Sequence, residues 1–178
     1  VLDCRAERDP AAGRLVSEDQ LAWAVDRIAR SDATFVLVVS SVHVTDHADR
    51  YAPDDVTGRW QGFPAQREAL LAAASSRPGV VFVTGDMHYG GIQWVSPAGA
   101  LGADQVELAV GPAGAQPWAV SAWLAAHGGV PDQYEALVDT WSVTLLELVP
   151  AGVDEGPALR VRYLDDAGRL LVARSFPA

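Results

Sequence analysis

Apolar residues in the first half of the chain follow two patterns, one with helical spacing and one of consecutive positions. Behind Ser17, apolar residues recur every three or four positions to about Arg30, which predicts an amphipathic helix. Ser17 and Gln20 have the spacing of a capping box at the start of that helix. Pro64 suits a first helical turn, and strong helix formers fill residues 65–75. The sequence therefore predicts two helices in this half.

Each predicted helix is followed by a run of apolar, strand-forming residues. The two runs cover residues 34–39 and 80–84. Apolar runs of this length, bounded by turn residues, are typical of strands that are buried on both faces of a sheet. A helix followed by a buried strand, and then repeated, is the alternation of an α/β fold.

The second half of the chain is richer in strands. Residues 92–95 and 106–110 alternate or nearly alternate, as half-exposed strands do, and residues 117–126 predict a short helix. Three more strands are predicted at residues 141–149, 159–164 and 170–176. A hairpin turn containing Gly168 joins the last two. The predicted fold class is α/β (α+β), one domain over residues 1–178 with an antiparallel, β-rich carboxy-terminal tail.

Composition and charge narrow the range of functions. Of the 178 residues, 49% are hydrophobic and 20% are charged, as in globular proteins. The net charge of −10 argues against nucleic acid and against an anionic membrane as partners. No apolar run approaches the roughly 20 residues that a membrane span requires. Cys4 is the only cysteine, so no disulfide can form within the chain.

Candidate chemistry follows the second apolar run directly. Gly85 ends the run and permits a sharp turn, after which Asp86 and His88 stand two positions apart. Open α/β sheets place their ligands at the carboxyl ends of strands, and carboxylate oxygen and imidazole nitrogen both bind metals. On spacing alone, the alternative is equally good: Asp86 caps the next segment and His88 is a partly buried polar residue.

A long polar segment between residues 40 and 63 holds further candidates. It contains His43 and His47, with Asp46 between them. Long loops in compact domains are uncommon and often functional. Because the segment follows the neighbouring predicted strand, His43 and His47 could reach the same sheet edge and add metal ligands. The alternative is that they are ordinary solvated residues of a polar loop.

Four segments, in this order, carry a resemblance to a known family. They are Leu2-Asp3-Cys4-Arg5 with Arg8, Gln20 with Trp23, Trp60-x-Gly62-Phe63-Pro64-x-x-Arg67, and Gly85-Asp86-Met87-His88. Together, across residues 2 to 111, they resemble the carboxy-terminal half of an alkaline phosphatase D-type (PhoD-like) metallophosphatase of the calcineurin-like metallophosphoesterase superfamily.

The resemblance implies a fold, a reaction and a cofactor. The fold would be part of a two-sheet β-sandwich flanked by helices, and the reaction would be hydrolysis of a phosphate-ester substrate by metal-activated water. Two metal ions, divalent or ferric, would be bound in the complete domain, with Ca, Fe, Zn and Mn as options. Asp86 and His88 would be metal ligands. The other ligands of the family lie upstream of the segment that matches Leu2-Asp3.

Arg5 and Arg67 are candidate phosphate-binding residues, because a guanidinium offers paired donors to phosphate oxygens. Surface or supporting ion pairs are the alternative for both. A serine hydrolase is disfavoured, since Ser40-Ser41 lacks the glycine-flanked turn that presents a nucleophile.

The chain begins with Val1-Leu2 rather than Met and shows no signal peptide, which we interpret as a fragment or a processed product. This motivates a second hypothesis: a truncated or degenerate, non-catalytic fragment that acts as a binding module. Exposed sheet edges would then favour self-association or pairing with a missing half. The sequence does not determine the cellular compartment, and the resemblance implies export or a periplasmic location.

Overall fold

The computed structural model describes residues 1–46, 56–152 and 155–178, and within these ranges it forms three α-helices and two β-sheets. The helices are α1 (Glu18–Ala29), α2 (Pro64–Ser75) and α3 (Val120–Ala126). The first sheet comprises β1 (Val36–Ser40), β2 (Val80–Thr84), β3 (Gly90–Trp94), β4 (Val106–Ala109) and β5 (Tyr134–Val138). The second comprises β6 (Ser142–Val149), β7 (Ala158–Asp165) and β8 (Leu170–Pro177).

The first sheet is mixed, in the order β1-β2-β4-β3-β5. Strands β1, β2 and β4 run parallel, whereas β3 runs antiparallel to both β4 and β5. The second sheet is an antiparallel meander, β6-β7-β8. The carboxyl ends of β1, β2 and β4 consequently meet along one edge of the first sheet, where β3 begins. This confirms the α+β class and the antiparallel tail.

Apolar side chains cover both faces of the first sheet. One face packs with the helices α1 and α2, through a cluster that includes Ile28, Leu70 and Phe82. The other face packs against the second sheet, where Val81 and Leu108 belong to one cluster with Val161 and Tyr163. A sheet covered on both sides explains why β2 is buried at every position. The expected two-sheet sandwich flanked by helices is thus confirmed.

Burial along the strands differs from the sequence prediction in two places. The run at residues 34–39 yields an edge strand, β1, in which Leu37 is 36% exposed, so the prediction of a fully buried strand was wrong. Strands β3 and β4 were predicted to be half-exposed, yet almost every residue in them is buried. The reason is position, because these strands lie in the interior of the first sheet between the helices and the second sheet. Strand β5 was not predicted.

Helix α1 begins as predicted, although its cap is completed from outside the helix. Ser17 Oγ accepts a hydrogen bond from the Gln20 backbone N–H at 3.2 Å. The reciprocal partner of the capping box is Glu7, whose carboxylate accepts from the Ser17 N–H at 2.8 Å and from the Gln20 side chain. These donors, the Ser17 backbone N–H foremost, lower the pKa of Glu7. The segment before α1 is thereby fixed to the helix start.

Tyr163 on β7 joins the two sheets. Its hydroxyl lies 2.5 Å from the Gly91 carbonyl and 3.0 Å from the Ala109 carbonyl, and burial raises its pKa. The ring packs so closely on Gly90 that a Cβ there would lie 2.9 Å from a ring carbon. Glycines at the start of β3 therefore allow the second sheet to approach the first. No helix in the described ranges is both long enough and apolar enough to cross a membrane.

Candidate functional site

Asp86 and His88 lie in the loop that leaves β2 at the carboxyl edge of the first sheet. Both side chains are exposed. Both residues have left-handed backbone conformations, with φ of 81° at Asp86 and 57° at His88. The turn therefore uses positive φ at these two residues, and Gly85, which the sequence predicted to permit a sharp turn, does not adopt positive φ. Asp and His tolerate this region better than most residues, but it still carries strain.

Arg5 reaches the same edge from the amino-terminal segment. Leu2 forms a parallel bridge with Ser40 at the end of β1, its N–H donating to the Val39 carbonyl at 2.8 Å. The Asp3 carboxylate then accepts from the N–H groups of Arg5 and Ala6, at 3.1 and 2.8 Å, which closes a turn. From this turn the Arg5 guanidinium forms an ion pair with Asp86.

His43 follows β1, but it is not a solvated loop residue. It is 1% exposed, its ring centroid is 5.5 Å from that of Tyr89, and its Nδ1 lies 3.1 Å from Gln93 Nε2 and 3.2 Å from Glu107 Oε1. Burial lowers the pKa of His43, because loss of water around the imidazolium outweighs the attraction of Glu107 and Asp86. His43 is therefore held as a neutral imidazole in the core.

His47 lies outside the described residues, as do the acidic residues of the same loop at positions 49, 54 and 55. Asp46, the last described residue before them, donates its backbone N–H to the Val95 carbonyl at 2.8 Å. The suggestion that His47 adds a metal ligand therefore stays a prediction.

Glu107 on β4 is a buried carboxylate that sequence reasoning missed. It is 0% exposed. Its oxygens accept from the backbone N–H groups of Val44 at 3.2 Å and Thr45 at 2.6 Å, and from the hydroxyls of Thr45 and Thr84. A buried carboxylate is costly unless donors surround it, and here they do. The available signal was a single charged residue inside the apolar run at 106–110.

The hydrogen bonds around Glu107 extend to Tyr89. The Tyr89 hydroxyl donates to Gln93 Oε1 at 2.8 Å, and Gln93 Nε2 donates to Thr45 Oγ1 at 3.1 Å. Burial raises the pKa of Tyr89 well above its ordinary value, so the phenol stays a donor. We refer to Glu107, Thr84, Thr45, Gln93 and Tyr89 as the buried polar network.

Ser40, at the end of β1, is the centre of a second buried cluster. Its Oγ accepts from Trp60 Nε1 at 3.0 Å, lies 2.7 Å from the Val42 carbonyl, and is 3.5 Å from Cys4 Sγ. Burial raises the pKa of the Cys4 thiol, which disfavours the thiolate. The Trp60 segment and the amino-terminal segment are thus fixed to one strand end as structural parts.

Arg67 has structural partners. Its Nε donates to the Val44 carbonyl at 2.7 Å, and one terminal nitrogen donates to the Val95 carbonyl at 3.0 Å and to Ser96 Oγ at 2.9 Å. Burial lowers its pKa. These contacts join α2 to the segment after β1 and to the end of β3. The structure therefore brings Arg5, Asp86 and His88 to one edge and engages Arg67 elsewhere.

The metal centre that the resemblance implies does not fit on the described residues alone. Among them, no group of three or more His, Cys, Asp and Glu side chains is arranged to hold a metal ion. A catalytic metal usually has about three protein ligands and one open position. Asp86 and His88 offer two donors, and Arg5 already engages one of them. Each fits as a ligand, but a complete site needs donors from elsewhere.

Comparisons with known proteins give a consistent result. The family described as PhoD-like phosphatase matches residues 2–130. A solved structure titled "Structure of PhoD" superposes with a TM-score of 0.62 at 17% sequence identity, over 99% of this chain and 41% of that chain. At this identity the likeness concerns the fold, and this chain spans less than half the length of that protein. No curated protein matches the sequence.

Proposed function

The chain belongs to the PhoD-like phosphatase family, and from that premise we propose that it takes part in hydrolysis of a phosphate ester, with the loop of Asp86 and His88 at the reaction site. The observation that carries the proposal is the arrangement of that loop. It presents an exposed carboxylate and an exposed imidazole at the carboxyl ends of parallel strands, beside the guanidinium of Arg5. This is the edge at which open sheets bind ligands.

Metal dependence is part of the proposal. Asp86 and His88 would each supply one ligand, and the remaining ligands would come from outside the described residues. Metal ions at such a site would polarise a phosphoryl oxygen as Lewis acids and would lower the pKa of a bound water. Arg5 would leave Asp86 when the carboxylate binds a cation, and its guanidinium would then bind a phosphoryl oxygen.

The test compares variants of the two candidate ligands with matched controls. Hydrolysis of p-nitrophenyl phosphate and of bis(p-nitrophenyl) phosphate is measured with Ca, Mn, Zn or Fe(III) ions added singly. We expect Asp86→Asn and His88→Ala to lower kcat/KM at least about tenfold, since the first removes the negative charge of a ligand and the second removes the ligand itself. The controls are Asp166→Asn in the β7–β8 turn and His127→Ala after α3, both exposed.

Metal content provides an independent measurement. Elemental analysis of the wild-type protein after gel filtration should detect bound metal, and less of it in both site variants than in both controls. Wild-type activity and wild-type metal content in His88→Ala would refute the assignment of the site.

A non-catalytic binding module is the second candidate, and one observation favours it. Among the described residues, no three His, Cys, Asp or Glu side chains are arranged to hold a metal ion, and Asp86 is already paired with Arg5. This hypothesis expects a folded protein with neither stoichiometric metal nor turnover in any of the assays above. Turnover that depends on His88 would exclude it.

Self-association is a further proposal, and the open edge of the first sheet supports it. On the outer side of β1, the structure records one bridge, from Leu2 to Ser40, and leaves the earlier residues of the strand without a neighbouring strand among the described residues. Exposed edges pair readily with other strands. Sedimentation velocity should show a concentration-dependent dimer, which Leu37→Lys should weaken. A monomer at every concentration would contradict the proposal.

A further inference from the structure

We propose that Glu107 is the positioning residue of the candidate site, holding the loop of residues 85–88 in the conformation that presents Asp86 and His88. The inference rests on the proposed function of that loop. Glu107 does not itself lie at the exposed edge, because it is fully buried on β4. It acts through the residues on either side of the loop.

Both ends of the loop are joined to Glu107. Thr84 directly precedes the loop, and its hydroxyl donates to Glu107 Oε1. Tyr89 directly follows the loop, and its hydroxyl is joined to Glu107 through Gln93 and Thr45 in succession. One buried carboxylate therefore holds both ends of the loop, directly through Thr84 and indirectly through Tyr89.

The loop requires such support because its backbone is strained. Asp86 and His88 have φ of 81° and 57°, and each residue in the left-handed region costs roughly 1–3 kcal/mol. Conformations of this kind persist only where the surrounding structure determines them. Met87 packs against the apolar cluster around Tyr89, but Asp86 and His88 themselves are exposed, so hydrogen bonds at both ends of the loop supply support that their own packing does not.

Glu107 also fixes the segment that follows β1. Its two oxygens accept the N–H groups of Val44 and Thr45, which are 63 and 62 positions away. One carboxylate on β4 thus joins Thr84, at the end of β2, to the segment that follows β1, and these two parallel strands both end at that edge. A residue that served packing alone would not need acceptors, whereas a carboxylate that accepts four hydrogen bonds fixes the directions of its partners as well as their distances.

The position of the loop can be followed at one backbone amide. The Trp118 N–H donates to the His88 carbonyl at 2.8 Å, so its hydrogen exchange depends on where the loop lies. The Leu2 N–H donates to the Val39 carbonyl outside the network and serves as the internal reference. NMR measurements of exchange resolve the two amides in the same sample.

The test uses Glu107→Gln, with Glu147→Gln as the matched control. Glu147 is a half-exposed carboxylate of β6 whose partners are Arg160 and Arg162. In Glu107→Gln we expect Trp118 to exchange at least about tenfold faster relative to Leu2, and kcat to fall roughly 10–100-fold with a smaller change in KM. The control should behave as the wild type in both measurements.

Two milder variants keep the test decisive if Glu107→Gln does not fold. Thr84→Val and Tyr89→Phe each remove one hydroxyl and retain the shape of the side chain. Each should accelerate exchange at Trp118 relative to Leu2. Wild-type exchange in both, or an acceleration equal at Trp118 and Leu2, overturns the positioning role and leaves a purely structural one.

The outcomes also separate this inference from the proposed function. If His88→Ala retains full activity, the proposed function fails, and the exchange at Trp118 still decides whether Glu107 holds the loop. If His88→Ala loses activity while a folded Glu107→Gln keeps wild-type kcat and exchange, the positioning role alone fails.

Discussion

Arg5 and Asp86 form an ion pair across 81 positions of the chain. Arg5 comes from the turn that follows the Leu2–Ser40 bridge, and Asp86 from the loop after β2. Two residues that sequence reasoning had assigned separately, one to phosphate and one to metal, are therefore neighbours. Since both side chains are about half exposed, the pair has little value for stability and is free to rearrange when a ligand binds.

The first prediction concerns this pair. Arg5→Gln should change the free energy of unfolding by less than about 1 kcal/mol, because exposed ion pairs contribute little. It should weaken inhibition by inorganic phosphate severalfold, because a charged donor at the edge is lost. Urea denaturation and phosphate inhibition of ester hydrolysis measure the two effects.

Arg14→Gln is the matched control for Arg5. Arg14 belongs to another exposed pair, with Asp9 at 3.4 Å, in the segment before α1. It should leave phosphate inhibition at the wild-type value. Equal phosphate affinity in Arg5→Gln and the wild type would contradict a role for Arg5 in binding the anion.

The second prediction concerns pH and His43. Burial places its folded-state pKa below 6.5, its ordinary value, so the unfolded chain binds a proton that the folded protein does not. The contribution of His43 to the free energy of unfolding is therefore fully present at pH values above 6.5. It is lost as the pH falls below 6.5, by at most about 1.4 kcal/mol per pH unit. The free energy of unfolding of His43→Gln should fall less steeply than that of the wild type between about pH 6.5 and 5.

The exposed His127 provides the control for this pH dependence. Urea denaturation at a series of pH values should give His127→Gln a slope close to that of the wild type. A wild-type slope in His43→Gln as well would show that His43 is not the group that titrates.

The third prediction concerns Arg67. Replacing it with Met leaves the Val44 carbonyl without its Arg67 donor and leaves the Val95 carbonyl with the Asp46 N–H alone, which should lower the free energy of unfolding by roughly 1–3 kcal/mol. Arg30→Met, which breaks only an exposed pair with Asp26, should cost less than about 1 kcal/mol. The role of Arg67 in phosphate binding, expected from the sequence, stays a prediction. If Arg67 binds phosphate, inorganic phosphate should inhibit the folded Arg67→Met variant more weakly than it inhibits the wild type.

The fourth prediction concerns Gly111, at the end of β4. A Cβ at this position would lie 2.0 Å from Ser142 Oγ and 2.8 Å from the Ser142 carbonyl oxygen. Gly111→Ala must therefore displace β6 from the first sheet, and we expect a loss of roughly 1–3 kcal/mol in the free energy of unfolding.

Gly114 lies in the same turn and is the matched control. A Cβ there would have no atom within 4 Å, so Gly114→Ala should be close to neutral. Thermal unfolding of the two variants side by side measures the difference. Equal stabilities would show that the contact between Gly111 and Ser142 is not tight in solution.

Elements whose pattern depends on the backbone itself were predicted well. The helical spacing behind Ser17 and behind Pro64 gave α1 and α2 within about a residue of their ends, because the helical repeat is fixed by local geometry. The apolar run at residues 80–84 gave β2, and the Asp-x-His that follows it lies at the expected sheet edge. The order of four short segments indicated the family, which the match over residues 2–130 confirms.

Burial was predicted less well, because it depends on neighbours that are distant in the chain. An apolar run does not reveal whether its strand lies at an edge, as β1 does, or in the interior, as β4 does. His43 was predicted to be either a metal ligand at the sheet edge or a solvated loop residue, and it is buried because Glu107, Gln93 and Tyr89 come together around it. None of those three residues is close to His43 in the sequence.

The sequence by itself determined the helices, strand β2, the family and the two residues that stand at the end of that strand. These features follow from local periodicity and from short motifs, whose physical cause acts within a few residues. The tertiary structure alone decided that Arg5 pairs with Asp86, that Arg67 joins backbone segments, and that Glu107 joins the end of β2 to the segment after β1. Each of those contacts spans more than 20 positions, and only the packing of the sheets and helices determines which side chains meet across such a separation.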